Sequence, residues 1–303
     1  MKQISFIIII MLLANMHSFA QTDAKLTTQL QKAVSGFNGQ VGVYVQNLKT
    51  GKVAAINADT LFPTASMIKV SILAGVMDKI EKGELQYNQK LKYRDSLLYA
   101  GEDILGSFKD GDSIYLSKVA MLMITMSDNT ASLWLQKLAD GKNINNWLEQ
   151  NGFKYMRINS RVEGREAMRP IYGWGVTTPR EMCKLFTMIH DGTAVSPAAS
   201  ERMYRTMSHI YWDQNALAQI PPYIQTISKQ GAVDASRSET VLVNAPHGDY
   251  VFSVITKNNK DQRWTADNEA STLIRKISAL LWHYYEPQSK WKPAGGVAKY
   301  MLN

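Results

Sequence analysis

Ser66 and Lys69 stand three residues apart at the head of an apolar run in which Ile68, Ile72, Val76 and Ile80 recur every fourth position. On a helix that spacing puts the hydroxyl and the amine on one face, one turn apart, with the serine at the positive end of the helix dipole. A serine hydroxyl is a poor nucleophile near neutral pH. A lysine held in a dry pocket can lose its proton and act as the base. The pair alone says little, because Ser289 and Lys292 repeat the spacing in a polar stretch. Two further clusters follow: Ser127-Asp128-Asn129 at the join of two helical patterns, and Lys229-Gln230-Gly231 on a strand near the C-terminal end. Each also has a plain reading. Ser, Asp and Asn cap helices, and a lysine before a glycine on a strand is commonly an exposed charge beside a bulge.

The elements that must position these groups follow from periodicity. Residues 23–35 place Leu26, Leu30, Ala33 and Val34 at helical spacing behind Asp23 as N-cap. The runs at 41–47 and 52–57, joined through Lys49-Thr50-Gly51, predict a β-hairpin. From Ser66 to Ile80 apolar residues fill every face, which predicts a helix buried nearly all round. Helical patterns continue at 115–126, 130–139, 143–151, 178–190 and 197–207. Between Ile158 and Val176 periodicity vanishes amid Gly164, Pro170, Gly173 and Gly175, and long structureless loops inside compact domains are usually functional or disordered. Strand patterns return at 223–228, 239–244 and 249–256, and a last amphipathic helix covers 266–285. Strands at both ends with helices between them predict an α/β (α+β) fold, its antiparallel sheet formed by both termini and flanked by helices, with an all-α lobe inserted in the middle. The domain expected is 21–286, with an α/β lobe at 21–62 and 195–286, an all-α lobe at 63–194, and a polar tail at 287–303. A cleft between the lobes is the natural place for a site.

Several function classes are excluded or disfavoured. The formal charge of +8 is scattered rather than blocked, which reads as a solvated surface and not as a nucleic-acid footprint. Cys183 is the only cysteine, so no internal disulfide is available, and its helical context reads as a small buried side chain. His190, His209, His247 and His283 show no spacing typical of metal ligands, so neither a metal nor another cofactor is expected. No Gly-x-Ser-x-Gly elbow and no phosphate-cradling glycine loop occurs. Lys2, an apolar run from Ile4 to Ala14 and Ser18-Phe19-Ala20 read as a signal peptide over 1–20, cleaved before Gln21. The mature protein is then expected in the periplasm or secreted, without a stable membrane anchor, as a monomer.

Ser-x-x-Lys, Ser-Asp-Asn and Lys-x-Gly in this order resemble the signature of the class A (serine) β-lactamases and penicillin-binding proteins. The resemblance covers nearly the whole chain after residue 20. Arg161-Val162-Glu163-Gly164 is similar to the start of the family's Ω-shaped loop, and Thr177-Thr178-Pro179 to the start of the helix after it. Its distances from Ser127 and from Thr177 single out Glu163 rather than Glu166. The resemblance implies a β-lactam substrate and these roles: Ser66 attacks the lactam carbonyl, and the backbone N–H groups of Ser66 and Ala232, beside Gly231, hold the oxyanion. Lys69 takes the serine proton or supports Glu163 in doing so, and Glu163 activates the deacylating water. Ser127 passes a proton to the leaving nitrogen, Asn129 binds the substrate amide, and Lys229 attracts the substrate carboxylate, helped by Arg237. Tyr99 falls where the family places an aromatic at the mouth of the site.

Three departures bear on function. Ala167 stands where the family has an asparagine sharing the deacylating water, and alanine offers no side-chain hydrogen bond. Gln230 replaces a hydroxyl residue between Lys229 and Gly231. Val176 replaces the aspartate that closes the loop on Arg161. Ala65 and Val233 exclude the disulfide that some relatives form between those positions. The main expectation is a β-lactam hydrolase, slow or narrow in spectrum. A peptidase-like penicillin-binding relative and an acylating protein that does not turn over are the alternatives.

Overall fold

The computed structural model describes residues 21–99, 101 and 104–300, so the expected signal peptide lies outside the described residues. Asp23 accepts from Leu26 N at 3.0 Å and opens helix α1 (Ala24–Val34), as its N-cap position predicts. Strands β1 (Gln40–Asn47) and β2 (Val53–Ile56) form the expected hairpin. Strands β8 (Thr226–Val233), β9 (Ser236–Val243) and β10 (Tyr250–Lys257) return from the C-terminal part to complete one antiparallel sheet in the order β2-β1-β10-β9-β8. The sheet is thus built from both ends of the chain, with β8 as an edge strand. Short pairs make the remaining strands: β3 (Phe62–Pro63), β6 (Arg157–Ile158) and β7 (Gly175–Thr177) in one ribbon, β4 (Lys90–Lys92) and β5 (Ser113–Tyr115) in another.

The middle of the chain is helical. A 3₁₀ turn over Ala65–Ile68 leads into α2 (Lys69–Glu81), in which every residue from Lys69 to Met77 is buried. Around it lie α3 (Leu116–Met121), which runs into a π-helical turn over Leu122–Met126, α4 (Asn129–Ala139), α5 (Gly141–Gln150), the single turn α6 (Arg169–Tyr172), α7 (Pro179–His190) and α8 (Pro197–Met207). One apolar core joins these helices to one face of the sheet, contributed by Ile227, Leu242, Val251 and Ile255. Cys183 is buried in it, as its small apolar character predicts.

On the other sheet face, Val241, Val243, Phe252 and Val254 meet α1 and α9 (Glu269–Tyr285), whose Leu273, Ile274, Ile277 and Leu281 give the amphipathic period its purpose. Glu239 is buried in this layer with 0% exposure, and burial pushes its carboxyl up to about 7 against the opposing pull of its hydrogen bonds and of Lys229. Its pKa is higher folded than unfolded, so between about 4.5 and 7 the folded chain binds more protons, and stability falls as pH rises through that window. A Glu239→Gln protein, which carries no such charge, is expected to gain about 3 kcal/mol on the parent between about pH 4 and pH 8 in urea denaturation.

Candidate active site

The cleft between the β8 edge and the helices encloses about 810 Å³. Ser66, Tyr99, Ser127, Asn129, Trp174, Trp212, Gln230, Gly231, Ala232 and Arg237 all line it. Ser66 sits in the 3₁₀ turn ahead of α2, and the residue before it, Ala65, is held at φ +44°. Ser127, at the end of the π-helical turn, is left-handed at φ +60°. Non-glycine residues in that region cost energy and persist where surrounding structure imposes them, often at functional sites. Here both strained residues flank the same cleft.

Asp128 imposes the second conformation. Its buried carboxylate caps α4 through Ala131 N at 2.7 Å and also accepts from Ile104 N at 2.6 Å and Leu105 N at 3.1 Å. The helix-cap reading of Ser127-Asp128-Asn129 is therefore correct for its middle residue, and the cap aims the two residues beside it into the site. Lys69, at 0% exposure, donates to Ser127 O, to Ser127 Oγ at 3.1 Å and to Asn129 Oδ1 at 2.8 Å. Lys229, also fully buried, reaches the same Ser127 Oγ at 3.2 Å. One hydroxyl is thus held between two amines in the cleft that Ser66 also lines, an arrangement that can pass a proton in either direction.

Gln230 accepts from Lys229 Nζ through Oε1 at 3.0 Å, while the backbone oxygen of Gln230 accepts from the same amine at 3.1 Å. With its oxygen so engaged, the amide offers its NH₂ to the cleft, in place of the hydroxyl the family resemblance implies. Gly231 brings β8 against the nucleophile's turn: a Cβ there would lie 2.5 Å from Thr64 O. Only glycine permits that approach, which sets the backbone of Ala232 beside Ser66. A Gly231→Ala protein must push strand and turn apart. It is expected to lose about a hundredfold or more in reaction rate at Ser66 with little change in thermal midpoint, measured by stopped-flow and calorimetry.

The 158–176 segment is held without the salt bridge that Val176 precludes. Asn159 closes its neck, donating its backbone N–H to Trp174 O at 2.8 Å, while its Oδ1 accepts from Arg165 Nε at 3.0 Å and Nη2 at 2.7 Å. Gln136 adds a bond to Ser160 O at 2.6 Å, and Val176 itself is buried in β7 between β3 and β6. This closure turns Trp174 inward, its ring centre 5.6 Å from Lys69 Nζ and edge-on to Tyr99 at 5.4 Å. Glu163 and Ala167 are exposed on the outer part of the loop and are not among the residues lining the cleft.

Arg237 lines the cleft but pairs with Ala232 across the strands, three residues from the position opposite Lys229. Its guanidinium donates to the carbonyls of Val233, Ser236 and Arg263 and covers the Trp264 ring at 4.1 Å. It is thus tied to the β8–β9 turn. Tyr99 is half-buried at the cleft wall, where its N–H donates to Thr130 Oγ1 at 2.9 Å. Sequence reasoning missed Trp174, Trp212 and the buried acids Glu181 and Glu239. Trp174 had a signal, an aromatic between Gly173 and Gly175 inside the aperiodic segment. Glu181, whose carboxylate accepts from the N–H groups of Lys154, Tyr155 and Met156, had none, because a single acid in a helical pattern reads as solvated.

A sheet made by both termini, helices inserted between its strands, and the Ser66, Lys69, Ser127 and Lys229 constellation at their junction define a β-lactamase/transpeptidase-like fold. The chain belongs to the β-lactamase enzyme family, whose model matches residues 25–285. It is 24% identical to β-lactamase VEB-1 of Pseudomonas aeruginosa over 297 residues, 94% of this chain and 98% of that one. Among solved structures it is similar to PBP-A, at 25% identity with a TM-score of 0.78, covering 88% of this chain and 98% of that chain. A mutant of PBP-A solved as an acyl-enzyme complex with penicillin G superposes equally well. A β-lactamase from Chitinophaga pinensis shares the fold at 20% identity and a TM-score of 0.78, over 86% of this chain and 99% of that chain. The resemblance to class A β-lactamases read from the three motifs is borne out, as is the fold expected from the order of elements.

Proposed function

We propose that this protein is a serine β-lactamase that opens the lactam amide through an acyl-enzyme on Ser66, and that hydrolysis of the acyl-enzyme is its slow step. The observation that carries the reading is the Ser127 hydroxyl held between Lys69 and Lys229 in the cleft that Ser66 lines. In this mechanism Lys69 accepts the Ser66 proton and Ser127 delivers one to the departing nitrogen, so the lactam C–N bond breaks as the ester forms. The N–H groups of Ser66 and Ala232 receive the oxyanion. Lys229 and the NH₂ of Gln230 face the substrate carboxylate, while Asn129 and Tyr99 face its amide side chain. Glu163 is the carboxylate assigned to the deacylating water, and its exposed place outside the cleft, with Ala167 beside it, is the reason for slow turnover. The leader at 1–20 supports export to the periplasm or beyond, and among the described residues no helix is long and apolar enough to cross a membrane.

A second reading is favoured by the same placement of Glu163 and by the inward Trp174: an acylating, peptidase-like relative that forms the ester and does not turn over. A chromogenic cephalosporin separates the two. The hydrolase shows a burst of about one equivalent followed by a slow steady rate, and Glu163→Ala lowers that steady rate by about tenfold or more without touching the burst. A burst with no steady phase selects the second reading. Absence of both defeats the first.

A further inference from the structure

Nothing in the proposed reaction uses Glu239, although a buried carboxylate in an apolar layer is costly to keep. It lies on the β9 face shared with Val241 and Val243, against α9. Lys229 leaves the sheet from the opposite face: it pairs with Thr240, whose Oγ1 contacts Met67 beneath α2. Both Glu239 oxygens are engaged. Oε1 accepts from Ser228 Oγ at 2.9 Å, and Oε2 accepts from Ala216 N at 2.8 Å.

Ala216 is one end of a strap, residues 211–216, whose other end is bonded directly behind Ser127. Tyr211 N donates to Thr125 O at 3.1 Å, and Trp212 Nε1 donates to Met126 O at 2.8 Å. Met126 immediately precedes the left-handed Ser127. Between the two anchors Gln214 and Asn215 form part of the cleft wall. Helix α9 steadies the same end, through Ser278 Oγ to Ala216 O at 2.7 Å and Arg275 Nη1 to Asn215 Oδ1 at 3.4 Å.

We infer that Glu239 is a positioning residue of this site: by clamping Ala216 under β8 it holds the 211–216 strap across the cleft wall, and the strap keeps Ser127 in register with Lys229. The two partners it serves explain the residue type, since a carboxyl group reaches both with its two oxygens, and an amide keeps the same span with its oxygen on Ala216 N and its NH₂ turned to the Ser228 hydroxyl. The charged groups around it are Lys229 from β8, Asp213 within the strap, and Arg275 from α9, which reaches the strap through Asn215. Lys229 favours the carboxylate and Asp213 opposes it, while burial moves its titration up to about 7. Release of the strap would hydrate the carboxylate, so the clamp is held by the protonated group and slackens as pH rises through that value. This inference rests on the acyl-transfer reading for its kinetic consequence and not for its structural one.

The test uses the full chain as exported, with Glu239→Val and Glu239→Gln beside the parent, in two measurements. In hydrogen exchange, corrected for the intrinsic pH dependence, the parent peptide spanning 211–217 should be several-fold more protected below pH 7 than above it, and Glu239→Val should lose that protection. In acylation by penicillin G, Glu239→Val should slow the limiting rate about tenfold with little change in apparent affinity, because a relay group out of register costs the transition state more than binding. Glu239→Gln should recover most of the rate and show no transition near pH 7. Parental exchange and parental acylation in Glu239→Val, or a transition near pH 7 that survives in Glu239→Gln, overturns the inference. If Glu239→Val does not fold, the pH profile of Glu239→Gln decides. If the parent forms no adduct, the functional reading has failed separately, and the exchange result alone decides the clamp.

Discussion

A Lys69→Ala protein is expected to acylate about a thousandfold more slowly than the parent, because the serine loses the base that makes it a nucleophile. The geometry makes the loss hard to compensate. Lys69 is fully buried, and it binds Ser127 and Asn129 together, so its removal also frees the Ser127 hydroxyl and the Asn129 amide. Lys229 cannot substitute, since it reaches Ser127 Oγ from β8 and is engaged with Gln230. Stopped-flow acylation by penicillin G across pH would check this. The decrease should persist at alkaline pH, where hydroxide ionises serine only slightly. A Lys69→Ala rate within tenfold of the parent would remove Lys69 from the mechanism.

Asp128→Ala is expected to lower stability by about 3 to 4 kcal/mol and to abolish most acylation in the protein that remains folded. Three N–H groups lose their acceptor at once, those of Ala131 and Leu105, which are buried, and that of Ile104. The first loss uncaps α4, and the other two release the 104–105 segment. The left-handed Ser127 then loses the cap that pins its neighbour, and a strained conformation without support relaxes. Asp128→Asn keeps the cap through Oδ1 but puts its NH₂ where Oδ2 accepted from both Ile104 N and Leu105 N, so it should fall between the parent and Asp128→Ala in both urea midpoint and acylation rate. Equal stability of Asp128→Ala and the parent would show that the carboxylate holds neither element.

The fold was legible in the sequence because period and order carried it. The buried helix after Ser66, the hairpin of β1 and β2 and the amphipathic α9 each followed from apolar spacing, and the return of strands late in the chain predicted the sheet. The candidate site was legible because Ser66, Lys69, Ser127 and Lys229 belong to motifs. What sequence reasoning could not show was direction. Nothing in Arg161-Val162-Glu163-Gly164 says that the loop presents Trp174 inward and Glu163 outward, because that depends on Asn159 closing its neck. Arg237 looked like a companion for Lys229, yet strand register moved it to the end of the β8–β9 turn. Glu239 and Glu181 read as ordinary surface acids, and only the packing of β9 against α9 and of α7 against 154–156 buries them.

The most direct test is time-resolved intact mass after mixing with penicillin G, with Ser66→Ala alongside. The account predicts a single adduct of one penicillin on the parent, formed quickly, decaying slowly to the free protein, and absent from Ser66→Ala. No adduct on a folded parent, or an adduct that persists on Ser66→Ala, would contradict it.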